Sequence, residues 1–358
     1  MKVRLTAEPS PEKKRVAALK KLTVDINKAL GVEGKLVLGS DHAGIIRVPI
    51  GVLGLDVITG GGLPRGNMVE LYGAESSGKT LFTMNMVKAI QKLGEPVVWL
   101  KGEGFDKPWM EKNGVDLSLL YLAEAKAGDK ALEAVLTALE SGLVGGVVVD
   151  SVQSLATSRE MSDSVEQESY GGGGSGQMWG RVMRKAYAYA NSGKAANTCF
   201  ITISQVREAI GSFGKHKPAP KPTGIRSIRH WKAISLECKA SEPFFINEKI
   251  DERKLMYARE FVVRCRKNKT SIPERSATIR YYFRKHEGVP FGVDHADQIF
   301  RYAKAYDLLE VSGSWYNIGE DFKAQGKEPF LEELRKHPAY MKKLYNQILK
   351  LVDKEANG

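Results

Sequence analysis

The residues Gly73-Ala74-Glu75-Ser76-Ser77-Gly78-Lys79-Thr80 fit the pattern G-x-x-x-x-G-K-[ST], directly after the strand-like run MVELYG and leading directly into a helical stretch. Glycine at both ends lets backbone N–H groups wrap closely round phosphates, and the following helix N-terminus adds partial positive charge. In such a loop Lys79 reaches the β- and γ-phosphates of a nucleoside triphosphate, and Thr80 holds Mg²⁺. Asp150 closes the run VVVD, where a carboxylate at a strand's carboxyl edge supports Mg²⁺ and its water. Parallel strands often end in Asp for capping reasons alone, so Asp150 gains its meaning from the loop. Glu103 closes PVVWLKGE, the strand expected after the phosphate-loop helix. A carboxylate there either polarises an attacking water, which favours hydrolysis over transfer to a small acceptor, or is a solvated loop acid.

A second chemistry lies in the segment Arg207–Lys232, with seven Lys or Arg residues against the single acid Glu208, and with Phe213, His230 and Trp231 interleaved. Cations on a glycine-containing backbone suit a groove that grips nucleic-acid phosphates without reading sequence, and an aromatic ring can stack between bases. The same run also fits a solvated face. The formal net charge of +12 agrees with an anionic partner but does not separate nucleic acid from a membrane surface or from solubility. No run approaches the length of a membrane span and the N-terminus lacks a signal-peptide core, so the expectation is a cytoplasmic protein with no membrane partner. Cys199, Cys238 and Cys265 are odd in number and lack metal-type spacing, which predicts buried thiols.

These groups need a scaffold, and the hydrophobic pattern supplies one. Val16, Leu19, Leu22, Ile26 and Leu30 recur at helical spacing over Lys13–Leu30, a helix that packs either on its own core or on a neighbouring subunit. From Met68 onward apolar runs alternate with helical stretches: MVELYG, a helix over Lys79–Leu93, PVVWLKGE, a helix over Lys130–Ser141, GGVVVDS, a helix over Gln177–Asn191 and CFITISQ. That alternation predicts an α/β fold with a mostly parallel central sheet covered by helices on both faces. Two segments of loop composition interrupt it, Met161–Gly176 and Arg207–Gly224. Strand-like runs between Leu236 and Phe283, EFVVRCR and ATIRYYF among them, extend the sheet with antiparallel strands. Beyond Asp294, the helical patterns IFRYAKAYDLLE and LEELRKHPAYMKKLYNQILKLVDKE flank SWYNIG and predict a small C-terminal α/β domain. The expected division is 1–47, 48–293 and 294–358.

The run GLPRGNMVELYGAESSGKT resembles the strand and phosphate loop of the bacterial RecA recombinases almost letter for letter, and similarity extends from about Val48 through Asn317. The resemblance implies a RecA-like ATPase core that uses ATP and Mg²⁺. It makes Gly73, Glu75, Ser76, Ser77, Gly78, Lys79, Thr80 and Leu81 the triphosphate loop, Glu103 the water-activating glutamate and Asp150 the Mg²⁺-site aspartate. It makes Gln205 the sensor of the γ-phosphate, and Lys267 and Lys269 the lysines that reach across the subunit interface to the neighbour's ATP. Trp109 falls near the family's adenine-stacking aromatic once a one-residue gap is allowed. The two long loops match the family's DNA-binding loops at about 160–176 and 206–224, which implies DNA contacts from Arg207, Phe213, Gly224, Arg226 and Arg229, with Arg181 near the first loop.

The chain departs from the family pattern at Lys101, Gly104, Ser204 and His230, and its end, LVDKEANG, lacks the family's acidic tail; these departures suggest a divergent member, such as a phage-encoded one. The implied function is an ATP-dependent recombinase that polymerises on single-stranded DNA and pairs it with a duplex. Two other readings stand beside it: a hexameric helicase or DNA motor on the same fold, and a nucleotide-gated scaffold without strand exchange.

Overall fold

The computed structural model describes residues 11–31, 44–102, 104–162, 174–206, 230–247, 254–319 and 322–357. The chain forms two compact units, 1–45 and 46–358. In the first, helix α1 (Pro11–Leu30) begins two residues before the expected Lys13 and ends on Gly31 at φ 71°. Its Val16, Leu19, Leu22 and Leu30 are about half exposed.

The second unit opens with strand β1 (Arg47–Val48), helix α2 (Leu53–Thr59) and strand β2 (Leu63–Pro64), which pairs antiparallel with β1. Strand β3 (Met68–Gly73) leads through the phosphate loop into α3 (Lys79–Gln91). Then follow β4 (Val97–Lys101), α4 (Lys107–Lys112), β5 (Leu120–Ala123), α5 (Gly128–Ser141), β6 (Gly146–Asp150), α6 (Ser158–Ser162), α7 (Gly174–Asn191) and β7 (Cys199–Gln205). The antiparallel part comprises β8 (Ile234–Asn247), β9 (Lys254–Asn268), β10 (Ser276–Tyr282) and β11 (Gly292–Val293).

Among the described residues these strands make a nine-stranded sheet in the order β11-β10-β9-β8-β3-β7-β6-β4-β5. Strands β3 to β8 run parallel where they pair, and β9 to β11 alternate direction. The expected mostly parallel sheet with an antiparallel extension is therefore present. The continuous apolar run of β6 serves both faces: Val148 packs towards Phe82, Met86 and Ile90 of α3, while Val147 and Val149 pack towards Leu132 and Leu136 of α5 and Trp179 of α7. Burial on both sides is why alternation of polar and apolar residues is missing from such strands. Cys199, Cys238 and Cys265 are buried in the same core, as expected.

The C-terminal part comprises α8 (His295–Ala305), the antiparallel sheet β12 (Glu310–Ser312), β13 (Trp315–Ile318) and β14 (Phe322–Gln325), then α9 (Lys327–Lys336) and α10 (Pro338–Asn357). Two expected boundaries move. The helical pattern expected over Ile299–Glu310 starts earlier, at His295, stops at Ala305 and gives Glu310 to β12. The long pattern after Leu331 is two helices, because Pro338 lacks an N–H and begins a helix instead of continuing one. Phe300, Phe330, Leu334 and Ile348 pack together with Leu53 and Val57 of α2, so α2 belongs to this cluster. The Tyr345 hydroxyl donates to buried Asp56 at 2.5 Å, alongside the N–H groups of Ile50 and Gly51, and burial holds the Asp56 carboxyl up at about 7. No helix among the described residues is long and apolar enough to cross a membrane.

Candidate nucleotide site and its flanking segments

The parallel strands end level with one another: Gly73 is the register partner of Gln205, and Lys101 that of Asp150. A crevice at the carboxyl edge of such a sheet is where α/β folds bind ligands. The turn out of β3 depends on glycine. A Cβ on Gly73 would lie 2.2 Å from the Cys238 carbonyl oxygen, and Gly78, at φ 89°, caps α3 with the Phe261 ring 2.9 Å from where its Cβ would be. Between them Ser76 also takes a positive φ of 57°. No side chain caps the N-terminus of α3, so its first N–H groups face the loop cavity with their dipole uncompensated by a side chain.

The Lys79 ammonium is buried and donates to the carbonyls of Gly73 (3.1 Å) and Ala74 (2.6 Å), folding back over the loop it belongs to. The Ser77 hydroxyl is buried with no hydrogen-bond partner among the described residues. Glu75, Ser76, Ser77, Gly78, Lys79, Thr80 and Leu81 all line a cavity of about 400 Å³. A glycine cradle, an uncapped helix start, a buried cation and an unsatisfied hydroxyl together fit a triphosphate; Thr80, exposed at the mouth, and Asp150 are the oxygen donors that fit Mg²⁺.

Asp150 ends β6 at 6% exposure, and its carbonyl accepts the Gly102 N–H at 2.5 Å. A Cβ on Gly102 would lie 1.9 Å from the Ser154 hydroxyl, so the chain leaving β4 passes close beside Asp150. The next residue, Glu103, lies outside the described residues. Gln205 is exposed at the end of β7, where the Gln153 amide brackets its backbone, accepting from its N–H at 3.2 Å and donating to its carbonyl at 3.4 Å. Trp109 lies in α4, whose start is capped by Asp106 accepting the Trp109 N–H at 3.1 Å. Its ring stacks on Phe283 with centroids 6.5 Å apart, and both rings line the phosphate-loop cavity.

Lys267 and Lys269 are not brought to this cavity. Lys267 pairs with Ser235, which pairs with Glu70, whereas the loop begins at the level of Gly73 and Cys238. That is three residues, about 10 Å of strand, back towards the opposite end of the sheet. Lys269 donates to the His230 carbonyl at 2.9 Å. Partial burial first, then the Lys269 and Lys232 cations, hold the Lys267 ammonium down to about 8. Beneath it, buried Glu70 pairs with Lys232 and accepts from Ser204 and Ser235 at 3.1 Å each, joining β3, β7 and β8. Removing one member of a buried pair strands the other charge. Lys232→Ala is therefore expected to cost about 3–5 kcal/mol in urea unfolding, with most of the loss recovered when Glu70→Gln and Lys232→Met are combined.

Arg181 is exposed on α7, one turn before exposed Arg184, and lines a cavity with Arg159 and Lys185 between α5, α6 and α7. Arg207, Phe213, Gly224, Arg226 and Arg229 lie outside the described residues, as do residues 163–173 of the first loop. Sequence reasoning did not single out Met256, Arg259, Phe261 and Phe283, which also line the phosphate-loop cavity. Arg259 and Phe261 stand two apart in β9 and read as ordinary strand alternation, Met256 lies three residues earlier in the same strand and Phe283 just past β10, and nothing local reveals which strand overhangs the loop.

Comparison with known proteins matches residues 17–289 to the RecA N-terminal domain and residues 297–353 to the RecA C-terminal domain. Protein RecA of Mycoplasma mycoides subsp. mycoides SC is 30% identical over 342 residues, covering 94% of this chain and 93% of its own. Protein RecA of Thermus aquaticus is 30% identical over 311 residues, 86% of either chain. Protein RecA of Borrelia duttonii is 30% identical over 340 residues, 94% of this chain and 89% of its own.

Proposed function

Because this chain belongs to the RecA family and is a RecA recombinase, we propose that it is a DNA-dependent ATPase. In this reading ATP sits at the seam between like protomers and governs their grip on single-stranded DNA in a cytoplasmic filament that pairs the strand with a duplex. The observation that carries it is the separation of two cationic sites on one sheet: the Lys79 loop at the carboxyl edge, and Lys267 with Lys269 near the other end. A lysine pair that cannot serve its own loop is available to a neighbour's, and it makes hydrolysis depend on assembly, as an arginine finger does.

The chain's own groups take these roles. The phosphate loop N–H groups and Lys79 hold the β- and γ-phosphates, with Lys79 exchanging the Gly73 and Ala74 carbonyls for phosphate oxygens. Mg²⁺ held by Thr80 and Asp150 would neutralise phosphate charge and orient the leaving group. Glu103 orients and polarises the attacking water. Gln205, whose amide can both donate and accept, senses the γ-phosphate and hands its presence to the segment that follows it. That segment supplies Arg207, Phe213, Gly224, Arg226 and Arg229 to the strand, and Arg181 borders the first loop. Residues 1–47 pack on a neighbour through the exposed apolar stripe of α1, residues 48–293 are the ATPase core, and residues 294–358 are the C-terminal domain. Neither the hexameric motor nor the scaffold reading is favoured by the family match. Electron microscopy with single-stranded DNA and a slowly hydrolysed ATP analogue tests the proposal: helical polymers are expected, and closed rings or monomers count against it.

Titration gives a separate check. Lys267 is drawn down to about 8 in the protomer, yet it must be charged to face a neighbour's phosphates, so assembly takes up a proton above that pH. Nucleotide-dependent assembly, followed by sedimentation, is expected to be flat below pH 7 and to weaken up to about tenfold per pH unit beyond pH 8. Lys267→Arg keeps its charge and is expected to abolish the alkaline loss; an equal loss in that variant would remove Lys267 from the seam.

A further inference from the structure

One cation of the nucleotide cavity has no part in the roles above. Val263 of β9 is level with Cys238 and thus with Gly73, so Arg259, four residues further along, stands beyond the carboxyl ends of the parallel strands, level with Tyr281. Strand alternation puts Arg259 on the face that carries Phe261, the ring packed on Gly78 and edge-on to Phe82. Arg259 accordingly lines the phosphate-loop cavity, together with Glu75, Trp109 and Phe283. Its Nε–H is buried with no hydrogen-bond partner among the described residues. The carboxylate next to it in sequence, Glu260, is taken by Arg280 and Arg301. A buried donor left unpaired is costly, and an acceptor entering the cavity removes that cost.

The strand order tells which part of a ligand meets it. Gln205 and Asp150 lie on β7 and β6, to one side of the loop; Arg259 lies on β9, to the other side, with Phe283 just past β10 and Trp109 stacked on it. The γ-phosphate end belongs to the first side and the aromatic wall to the second. A guanidinium only donates, so its target is an oxygen or ring nitrogen on the aromatic side. We propose that Arg259 is a nucleotide-binding residue of its own protomer's site, gripping the nucleoside-monophosphate half of the bound nucleotide. This rests on the reading of the phosphate loop as the ATP site. A grip on the half that hydrolysis leaves unchanged does not distinguish ATP from ADP, so Arg259 sets nucleotide retention while Gln205 and the neighbour's lysines read the γ-phosphate.

Calorimetric titration of the full chain with Mg·ADP and with Mg·AMP-PNP tests the assignment, using the wild type, Arg259→Ala, Arg259→Met and Lys79→Ala. The methionine variant keeps the packing of the arginine stem should the alanine variant fail to fold. Both Arg259 variants are expected to bind both nucleotides about 10-fold or more weakly, by the same factor for each, as loss of charge-assisted hydrogen bonds predicts. Unchanged affinity for both nucleotides in Arg259→Met, or a loss confined to AMP-PNP, overturns the assignment while leaving the phosphate-loop reading intact. A wild type that binds neither nucleotide, or a Lys79→Ala variant that binds like the wild type, overturns the phosphate-loop reading, and the grip falls with it.

Discussion

Lys79→Ala is expected to abolish DNA-stimulated ATP hydrolysis, with turnover falling by about 100- to 1,000-fold or more, as for other losses of a preorganised charge on the reacting group. The side chain is buried at the first position of α3, with its ammonium on the Gly73 and Ala74 carbonyls. Its removal takes away the cation that meets the phosphates and the tie that shapes the loop. Alanine is a good helix former, and the bonds lost are local to the loop, so far-ultraviolet circular dichroism is expected to match the wild type. A phosphate-release assay with saturating Mg·ATP and single-stranded DNA measures the effect. Retention of more than about a tenth of the activity contradicts the role given to this lysine.

The second large effect is one of pairing. Lys267→Ala is expected to be as inactive in hydrolysis as Lys79→Ala while binding ADP normally, because the sheet holds Lys267 away from its own loop. Mixing the two dead proteins is the decisive measurement. Where a Lys267→Ala protomer offers its intact loop to a Lys79→Ala neighbour, that neighbour supplies the missing lysines. In an equimolar random mixture this arrangement occurs at about a quarter of heterologous joints, so about a quarter of wild-type activity is expected to return. Lysines that served their own loop would give no recovery at all.

The parts of this molecule that were legible in the sequence are those where one local pattern has one physical solution. Gly73 to Thr80 between an apolar run and a helix fits a phosphate loop in both sequence and setting, and β3, β6 and β7 announced themselves by largely apolar stretches, broken only by Glu70 in β3 and by Thr202 and Ser204 in β7 before the polar ends of β6 and β7. The chain was less readable where tertiary context decides. Strand β5, with Tyr121 and Leu122 exposed, lies at the edge of the sheet and pairs with β4 alone among the described residues, and four residues of LYLA carry no distinctive period. The break before Pro338 was written in the sequence, but the amphipathic pattern on either side outweighed it. The lysines were legible only through resemblance; the register that separates them from their own loop required the sheet. Arg259 was legible in neither way, since its place over the loop depends on the pairing of β8 with β9, which shifts register between Ala240 and Pro243.

The placement of Lys267 and the Lys79 loop towards opposite ends of one sheet also gives any stack of these protomers a direction. In the proposed filament one terminal subunit would display a loaded but uncompleted triphosphate, and the other would display lysines with no phosphate to meet. The two tips are therefore chemically unlike: hydrolysis is silent at the first, and the second is where an incoming molecule must already carry its fuel. Growth and shrinkage have no reason to be equal at the two tips, and single-filament imaging at limiting ATP reads that inequality directly.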